Sequence, residues 1–184
     1  MRIIAGTARS IQLKTVKGLN TRPTTDRIRE TLFNMIQTEV PGSVFLDLFA
    51  GSGAVGLEAL SRGAEFAVFA DHNRQAVACI EENIRATKFQ SRCEVKRMDY
   101  LAALRSLEGR FVFDIVFLDP PYGKGMAEEA LGALSSSSVC GTDSMVIVEE
   151  SVEFPPEQLT GTGFEIARVK KYKTNQHIFL RKGG

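Results

Sequence analysis

The chain has 184 residues, 43% of them apolar and 24% charged, with a net charge of +1, the composition of one globular domain large enough to bury a core. No apolar run approaches the ~20 residues of a membrane span, and MRIIAGTARS is too short in apolar residues for a secretory leader, so a cytoplasmic protein without membrane contact is expected. Cys79, Cys93 and Cys140 form no CxxC pair and neither His72 nor His177 has a ligand spacing, so reduced thiols and no metal are expected.

Charge is unevenly placed: residues 1–37 and 164–184 carry +5 each, and residues 38–163 carry −9. Basic ends around an acidic centre fit a polyanion partner held by the ends, or simply solvated termini; charge alone leaves both readings open.

In chain order, RIIAG and QLKTV form two short strands around a turn holding Arg9 and Ser10. In TRPTTDRIRETLFNMIQ a helix follows Pro23, capped by Thr24 or Thr25, with Ile28, Leu32, Met35 and Ile36 on one face. From residue 43 the pattern becomes regular. SVFLDLF is a strand and GSGAVGLEALSRG a glycine-rich turn into a helix; EFAVFAD is a strand and NRQAVACIEENIRATK a helix capped by Asn73. CEVKRMD, YLAALRSL, FVFDIVFLD, MAEEALGALS and SMVIVEE continue the alternation, and FEIARVKKYKTNQHIFLRK closes it as a hairpin. This predicts an α/β fold: a seven-stranded, mostly parallel sheet with helices on both faces, an antiparallel C-terminal hairpin, and an N-terminal β-hairpin and helix. Residues 1–184 are expected to be a single domain, with 1–40 on the substrate side and 41–184 as the cofactor-binding catalytic core.

Ligands bind at the carboxyl ends of the strands in such sheets. Asp47, Asp71, Asp99 and Asp119 all fall near those ends. Gly51, Gly53 and Gly56 match GxGxxG between a strand and a helix, and Asp71 follows Gly51 by twenty residues, where a carboxylate meets both hydroxyls of a ribose. Nicotinamide enzymes share that motif. Two features argue against them here. Asp47, four residues before Gly51, repels a pyrophosphate but tolerates an ammonium or sulfonium, and a dehydrogenase has no use for the corner Asp119-Pro120-Pro121-Tyr122. S-adenosylmethionine fits both. Its ribose suits Asp71, its adenine amine Asp99 with Tyr100 walling the ring, and its amino-acid end the turn near Asp47; Ala50, Ser52 and His72 complete the expected cofactor contacts.

An exocyclic base amine is a poor nucleophile because its lone pair is delocalised into the ring. Asp119 and the Pro120 carbonyl accept its two N–H groups and turn the lone pair towards a methyl donor. The prolines fix φ in advance, and Tyr122 stacks on the base. Guanine and adenine amines fit this corner equally, and a non-catalytic nucleic-acid-binding module is the alternative from another class.

FLDLFAGSGAVGLEALSRG, Asp71, Asp99 and DPPY resemble the motifs of class I S-adenosylmethionine-dependent N-methyltransferases, with their Rossmann-like fold. RIIAG followed by RPTTDRIRETLFN is similar to the RsmD family of 16S rRNA guanine-N2 methyltransferases, and the likeness runs from Arg2 to about Glu150. The resemblance implies that Asp71 holds the ribose, Asp99 the adenine, and Asp119, Pro120 and Tyr122 the guanine amine. It places Arg22 and Thr24 near the cofactor's methionine end or the substrate entrance. It also implies 16S rRNA in a partly assembled 30S subunit as partner; a monomer is expected. The family more often has Glu where Asp71 stands, and Gly in the last turn where this chain has Lys173. The expected phosphate-binding residues are Arg2, Arg9, Arg22, Arg27, Arg29 and Lys124, with Lys14 and Lys17 beside them.

Overall fold

The alternation of apolar runs and amphipathic segments is realised as one twisted sheet between two layers of helices. The computed structural model describes residues 1–16 and 25–183; Lys17, Arg22 and Thr24 lie outside the described residues. In chain order the elements are α1 (Asp26–Met35), β1 (Val44–Asp47), α2 (Ala54–Ser61), β2 (Phe66–Asp71), α3 (Arg74–Thr87), β3 (Cys93–Arg97), α4 (Tyr100–Leu107), β4 (Phe113–Leu118), α5 (Met126–Ser136), β5 (Cys140–Ser151), β6 (Phe164–Lys171) and β7 (Asn175–Lys182). Short 3₁₀ turns precede β3 and β6. The strand order is β3-β2-β1-β4-β5-β7-β6. The first five strands pair in parallel, and β7 runs antiparallel to both β5 and β6. This is the predicted sheet, with its order reversing between β1 and β4.

Period-two alternation sends each strand's side chains to two cores. Phe45, Phe69 and Phe117 pack on one face with Leu32, Phe33, Leu57 and Ile80 of α1, α2 and α3. Leu46, Val68 and Val116 pack on the other with Leu104 and Leu131 of α4 and α5. The inward face expected of α3 (Ala76, Val77, Ile80, Ile84) is buried, and Asn73 caps it by accepting from the N–H groups of Gln75 and Ala76.

The N-terminal segment is bound to the helices more than to itself. One antiparallel bridge, Arg2 with Gln12, joins its two arms. Its turn rests on the end of α2, where the Thr7 N–H donates to the Ser61 carbonyl at 2.8 Å and the Ala8 N–H to Ser61 Oγ at 2.9 Å. Gly6 has φ +82°, and a Cβ there would sit 1.7 Å from the Ser61 carbonyl oxygen, so no other residue permits this approach. Asn83 of α3 then links three segments: its Oδ1 accepts from the Lys14 N–H, and its Nδ2 donates to the carbonyls of Lys14 and Ser52.

Helix α1 turns out differently from its periodicity. Thr25 is the cap, accepting from the Ile28 N–H at 3.3 Å. The buried face is Arg29, Leu32, Phe33 and Ile36, while Ile28 and Met35 are only half buried. The inward face is shifted towards Phe33 and Arg29, and Arg29 meets the fully buried Glu58 of α2 there.

Candidate active site

Four aspartates stand along the carboxyl end of the parallel strands, and the register explains the spacing of three of them. Asp47 lies level with Phe69 and Phe117 on the flanking strands. Asp71 and Asp119, two residues beyond those phenylalanines, therefore rise on the same side one layer higher. Asp99 follows β3 and caps α4, accepting from the Ala102 N–H at 2.9 Å.

Asp47 is fully buried and accepts the Gly56 N–H at 3.1 Å. Burial, with a smaller push from the Asp71 charge, raises its pKa to about 7, and the Gly56 bond partly opposes this. Asp71 Oδ2 accepts the Gly51 N–H at 2.9 Å, and its Oδ1 the Asn73 N–H at 2.8 Å. The two acids thus clamp the glycine turn from both ends. Gly51 and Gly53 have φ of +56° and +78°, and a Cβ at Gly51 would meet nothing within 4 Å, so that corner faces open space. Gly56 has another purpose: a Cβ there would lie 2.4 Å from the Phe69 ring. Its missing side chain serves helix–sheet packing, and its N–H serves Asp47.

The other expected cofactor contacts divide. Ala50 is buried and its N–H donates to the Ala70 carbonyl at 2.9 Å. Tyr100 packs on Phe49 with centroids 5.0 Å apart and donates its hydroxyl to Glu129; burial and that carboxylate raise its pKa to about 12. His72 projects into solvent, with Nδ1 3.9 Å from Asp71 Oδ1.

On the acceptor side, Asp119 is partly buried, Pro120 is buried, and Pro121, Tyr122 and Lys124 are exposed. Burial, then the charges of Glu149, Asp47 and Glu150, push Asp119 well above the usual carboxylate range. The β4–β5 register, continued one residue past Leu118 and Val148, sets Asp119 beside Glu149. Glu149 is opposite His177 on β7. Its Oε2 is 3.0 Å from His177 Nε2, and its Oε1 accepts from Asn175 Nδ2 at 2.8 Å and from the Tyr122 hydroxyl at 3.4 Å. Tyr172 reaches the other histidine nitrogen at 3.1 Å. Facing this network is a cleft of about 470 Å³ between the start of α1 and the β6–β7 turn; Arg27, Ile28, Tyr122, Tyr172, Asn175 and three lysines (Lys170, Lys171 and Lys173) are among its walls.

The family profile described as "Conserved hypothetical protein 95" matches residues 1–181. The chain belongs to the RsmD family. Among curated relatives, ribosomal RNA small subunit methyltransferase D of Haemophilus influenzae is 33% identical over 181 residues, 96% of this chain and 94% of its own. YlbH of Bacillus subtilis is 37% identical over 158 residues, 84% of this chain and 86% of its own. Among solved structures, yhhF of Escherichia coli superposes with a TM-score of 0.85 at 32% identity, covering 99% of this chain and 97% of that one. The fold is that of the class I methyltransferases.

One expected substrate contact is overturned. Arg29 has no exposed surface; its guanidinium donates to the Arg2 carbonyl and to Asp26 Oδ1 and lies 3.7 Å from Glu58 Oε2. It holds α1, the N-terminal segment and α2 together and is closed to RNA. Arg2 and Arg9 are exposed, Arg2 with its Nε 3.8 Å from Asp26. Arg27 is exposed on the cleft wall. Glu58, Asn83, Glu149, Asn175 and His177 were not singled out from the sequence. Only Glu149 carried the signal that marked the four aspartates, an acid at the carboxyl end of an apolar strand. Among the described residues, no group of three or more His, Cys, Asp and Glu is arranged to hold a metal ion, and no helix is long and apolar enough to cross a membrane.

Proposed function

We propose that this protein transfers a methyl group from S-adenosylmethionine to the exocyclic N2 amine of a guanine in 16S rRNA, within a partly assembled small ribosomal subunit. The observation that carries the reading is the acceptor corner: Asp119 and the Pro120 carbonyl at the end of β4, with Tyr122 at the mouth of a cleft walled by Arg27, Lys170, Lys171 and Lys173. The names of the curated relatives support RNA as the substrate.

The rim suits the cofactor. A buried carboxylate at Asp47, raised to about 7, gains from a cation placed beside it, and the open corner at Gly51 admits a ligand close to the backbone. Asp71 and Asp99 would hold the ribose and adenine. When bound, S-adenosylmethionine supplies a methyl group on a sulfonium, ready for displacement by a nucleophile.

The chain's own residues prepare that nucleophile. Asp119 in its ionised form accepts one N–H of the amine and the Pro120 carbonyl the other, which favours a tetrahedral nitrogen. The nitrogen becomes cationic as its new N–C bond forms, and then loses a proton. Asp119, with its raised proton affinity, is placed to take it. Tyr122 stacks on the base. A base within paired or stacked RNA has to be flipped out to reach this corner, and the cationic wall receives the flanking phosphates. Residues 1–40 then serve the substrate side and residues 41–184 the cofactor and chemistry, within one domain.

The test is transfer of labelled methyl groups to 16S rRNA and to 30S particles lacking the modification, with nucleoside analysis of the product. N2-methylguanosine from the wild type, and at least a hundredfold less from Asp119→Ala, is expected. N6-methyladenosine would replace the base assignment. Equal activity in Asp119→Ala would overturn the corner's role.

A further inference from the structure

The hydroxyls of two tyrosines end on one buried pair. Glu149 and His177 stand opposite each other on β5 and β7 and are 3% and 0% exposed. The Tyr122 hydroxyl donates to Glu149 Oε1 at 3.4 Å, and Glu149 Oε2 is 3.0 Å from His177 Nε2. The Tyr172 hydroxyl closes the chain at 3.1 Å from His177 Nδ1. His177 also stands edge-on to the Tyr172 ring, with centroids 5.1 Å apart, so that ring is held at two points. A buried pair of this kind adds little to stability by itself. Here it braces two aromatic rings that line the same cleft.

Tyr122 belongs to the acceptor corner. Tyr172 does not: it opens the turn between β6 and β7, half buried, with Lys171 and Lys173 exposed on either side of it. Lys170 adds a third cation to this wall, and α1 supplies Arg27 and Ile28 to the facing one. Ile28 is the apolar residue that α1 leaves half buried. The cleft of about 470 Å³ thus has an aromatic ring and an aliphatic side chain on its walls and four cations around them, in the size range of small-molecule sites. That is the chemistry of a site for one nucleotide. Any base has a π-face that stacks on an aromatic ring, and the cations neutralise the phosphates on either side of it. Extruding a target base towards Asp119 costs its stacking on its neighbours. A ring that receives one of those neighbours offsets part of the loss.

We propose that this cleft is a binding subsite for the nucleotide next to the target in the RNA chain, with Tyr172 stacking on its base. This rests on the methyl-transfer reading above and deepens it: Tyr122 takes the target base and Tyr172 an immediate neighbour. Glu149 and His177 are positioning residues that fix the Tyr172 ring. The subsite reads no base identity, because stacking accepts every base; it selects RNA in which that neighbour is free to leave its helix.

The test measures binding of the full-length protein to 16S rRNA, both free and reconstituted into small-subunit particles. The rRNA is intact or carries an abasic residue immediately 5′ or 3′ of the mapped target nucleotide. The wild type is expected to lose ~10–100-fold in affinity at one of the two abasic positions, the range for one stacked base. Tyr172→Ala is expected to lose the same factor on intact rRNA, and then to bind intact and that abasic rRNA within about threefold of each other. Tyr172→Phe keeps the ring and is expected to keep the dependence on that neighbour. A merely structural role for Tyr172 weakens both RNAs by one factor and leaves their ratio unchanged. That unchanged ratio in Tyr172→Ala, or a wild type indifferent to both abasic positions, overturns the subsite and leaves the methyl-transfer reading standing. A wild type that binds neither free nor assembled rRNA brings down both.

Discussion

Arg29 of α1 and Glu58 of α2 face each other at 3.7 Å with both side chains fully buried. Glu58 also accepts the N–H groups of Ile4 and Ala5 at 2.8 and 3.1 Å and the Arg62 Nε at 2.7 Å. Removing one partner of a buried ion pair costs up to about 3–5 kcal/mol; without Arg29, Glu58 keeps Arg62 and the two N–H groups, so that range is an upper bound. Arg29→Ala is therefore expected to lower stability by up to that amount in urea unfolding, and Arg27→Ala, two residues away and exposed, to leave it unchanged within about 0.5 kcal/mol.

Arg27 should be felt in RNA binding instead. It shares the cleft wall with Lys170, Lys171 and Lys173. For every phosphate that a cation no longer neutralises, the slope of log K against log salt shrinks by roughly 0.7–0.9. Single alanine variants at these four positions are expected to lower that slope by up to this amount each. Titrations of labelled rRNA fragments at several salt concentrations check it.

Gly56 stands against Phe69, where an added Cβ would be 2.4 Å from the ring. Phe69 is fully buried on β2 and has little room to retreat. Gly56→Ala is expected to cost about 1–3 kcal/mol through overpacking. In the double variant with Phe69→Leu the clash disappears, so the two effects should be non-additive in thermal unfolding.

Asp47 has a folded-state pKa near 7, above its ordinary 3.8. Between these values the folded protein binds more protons than the unfolded chain, so stability falls as pH rises through that window. Asp119 and Glu150 are raised too and act in the same sense. Asp47→Asn is expected to flatten the decline in part. A cationic ligand favours the ionised form, so affinity for S-adenosylmethionine should rise as pH passes 7, and Asp47→Asn should weaken that dependence. Calorimetry at several pH values measures both.

Tyr122 is 42% exposed and its hydroxyl contact with Glu149 is long, at 3.4 Å. On the proposed stacking role, its ring is expected to matter more than its hydroxyl. Tyr122→Ala is expected to lose stacking worth ~1–3 kcal/mol, about 10–100-fold in kcat/KM for RNA, and Tyr122→Phe less than about threefold. Methyl-transfer kinetics on rRNA distinguish the two.

What could be read from the chain itself were the features written in short-range order. Apolar runs alternating with amphipathic helices specify a parallel sheet, and the closing hairpin, the glycine turn after β1 and the acids at strand ends all fall within a few residues of the signals that betray them. The motifs RPTTDRIRETLFN and FAGSGAVGLEAL also sufficed to name the family. Partnership over long separations was not legible. Arg29 reads as one more surface cation until α1 is laid on α2 and Glu58 meets it from 29 residues away. Asn83 looks like a polar residue on a solvated helix until it bonds Lys14, 69 residues earlier. His177 and Asn175 sit in a strand with no motif around them. Only the register of β5 against β7 sets His177 opposite Glu149 and lets the Asn175 side chain reach the same carboxylate, and only that of β4 against β5 brings Glu149 to Asp119. Local periodicity determines which segments become strands and helices; which buried polar groups satisfy one another is decided when the sheet assembles and water is excluded between them.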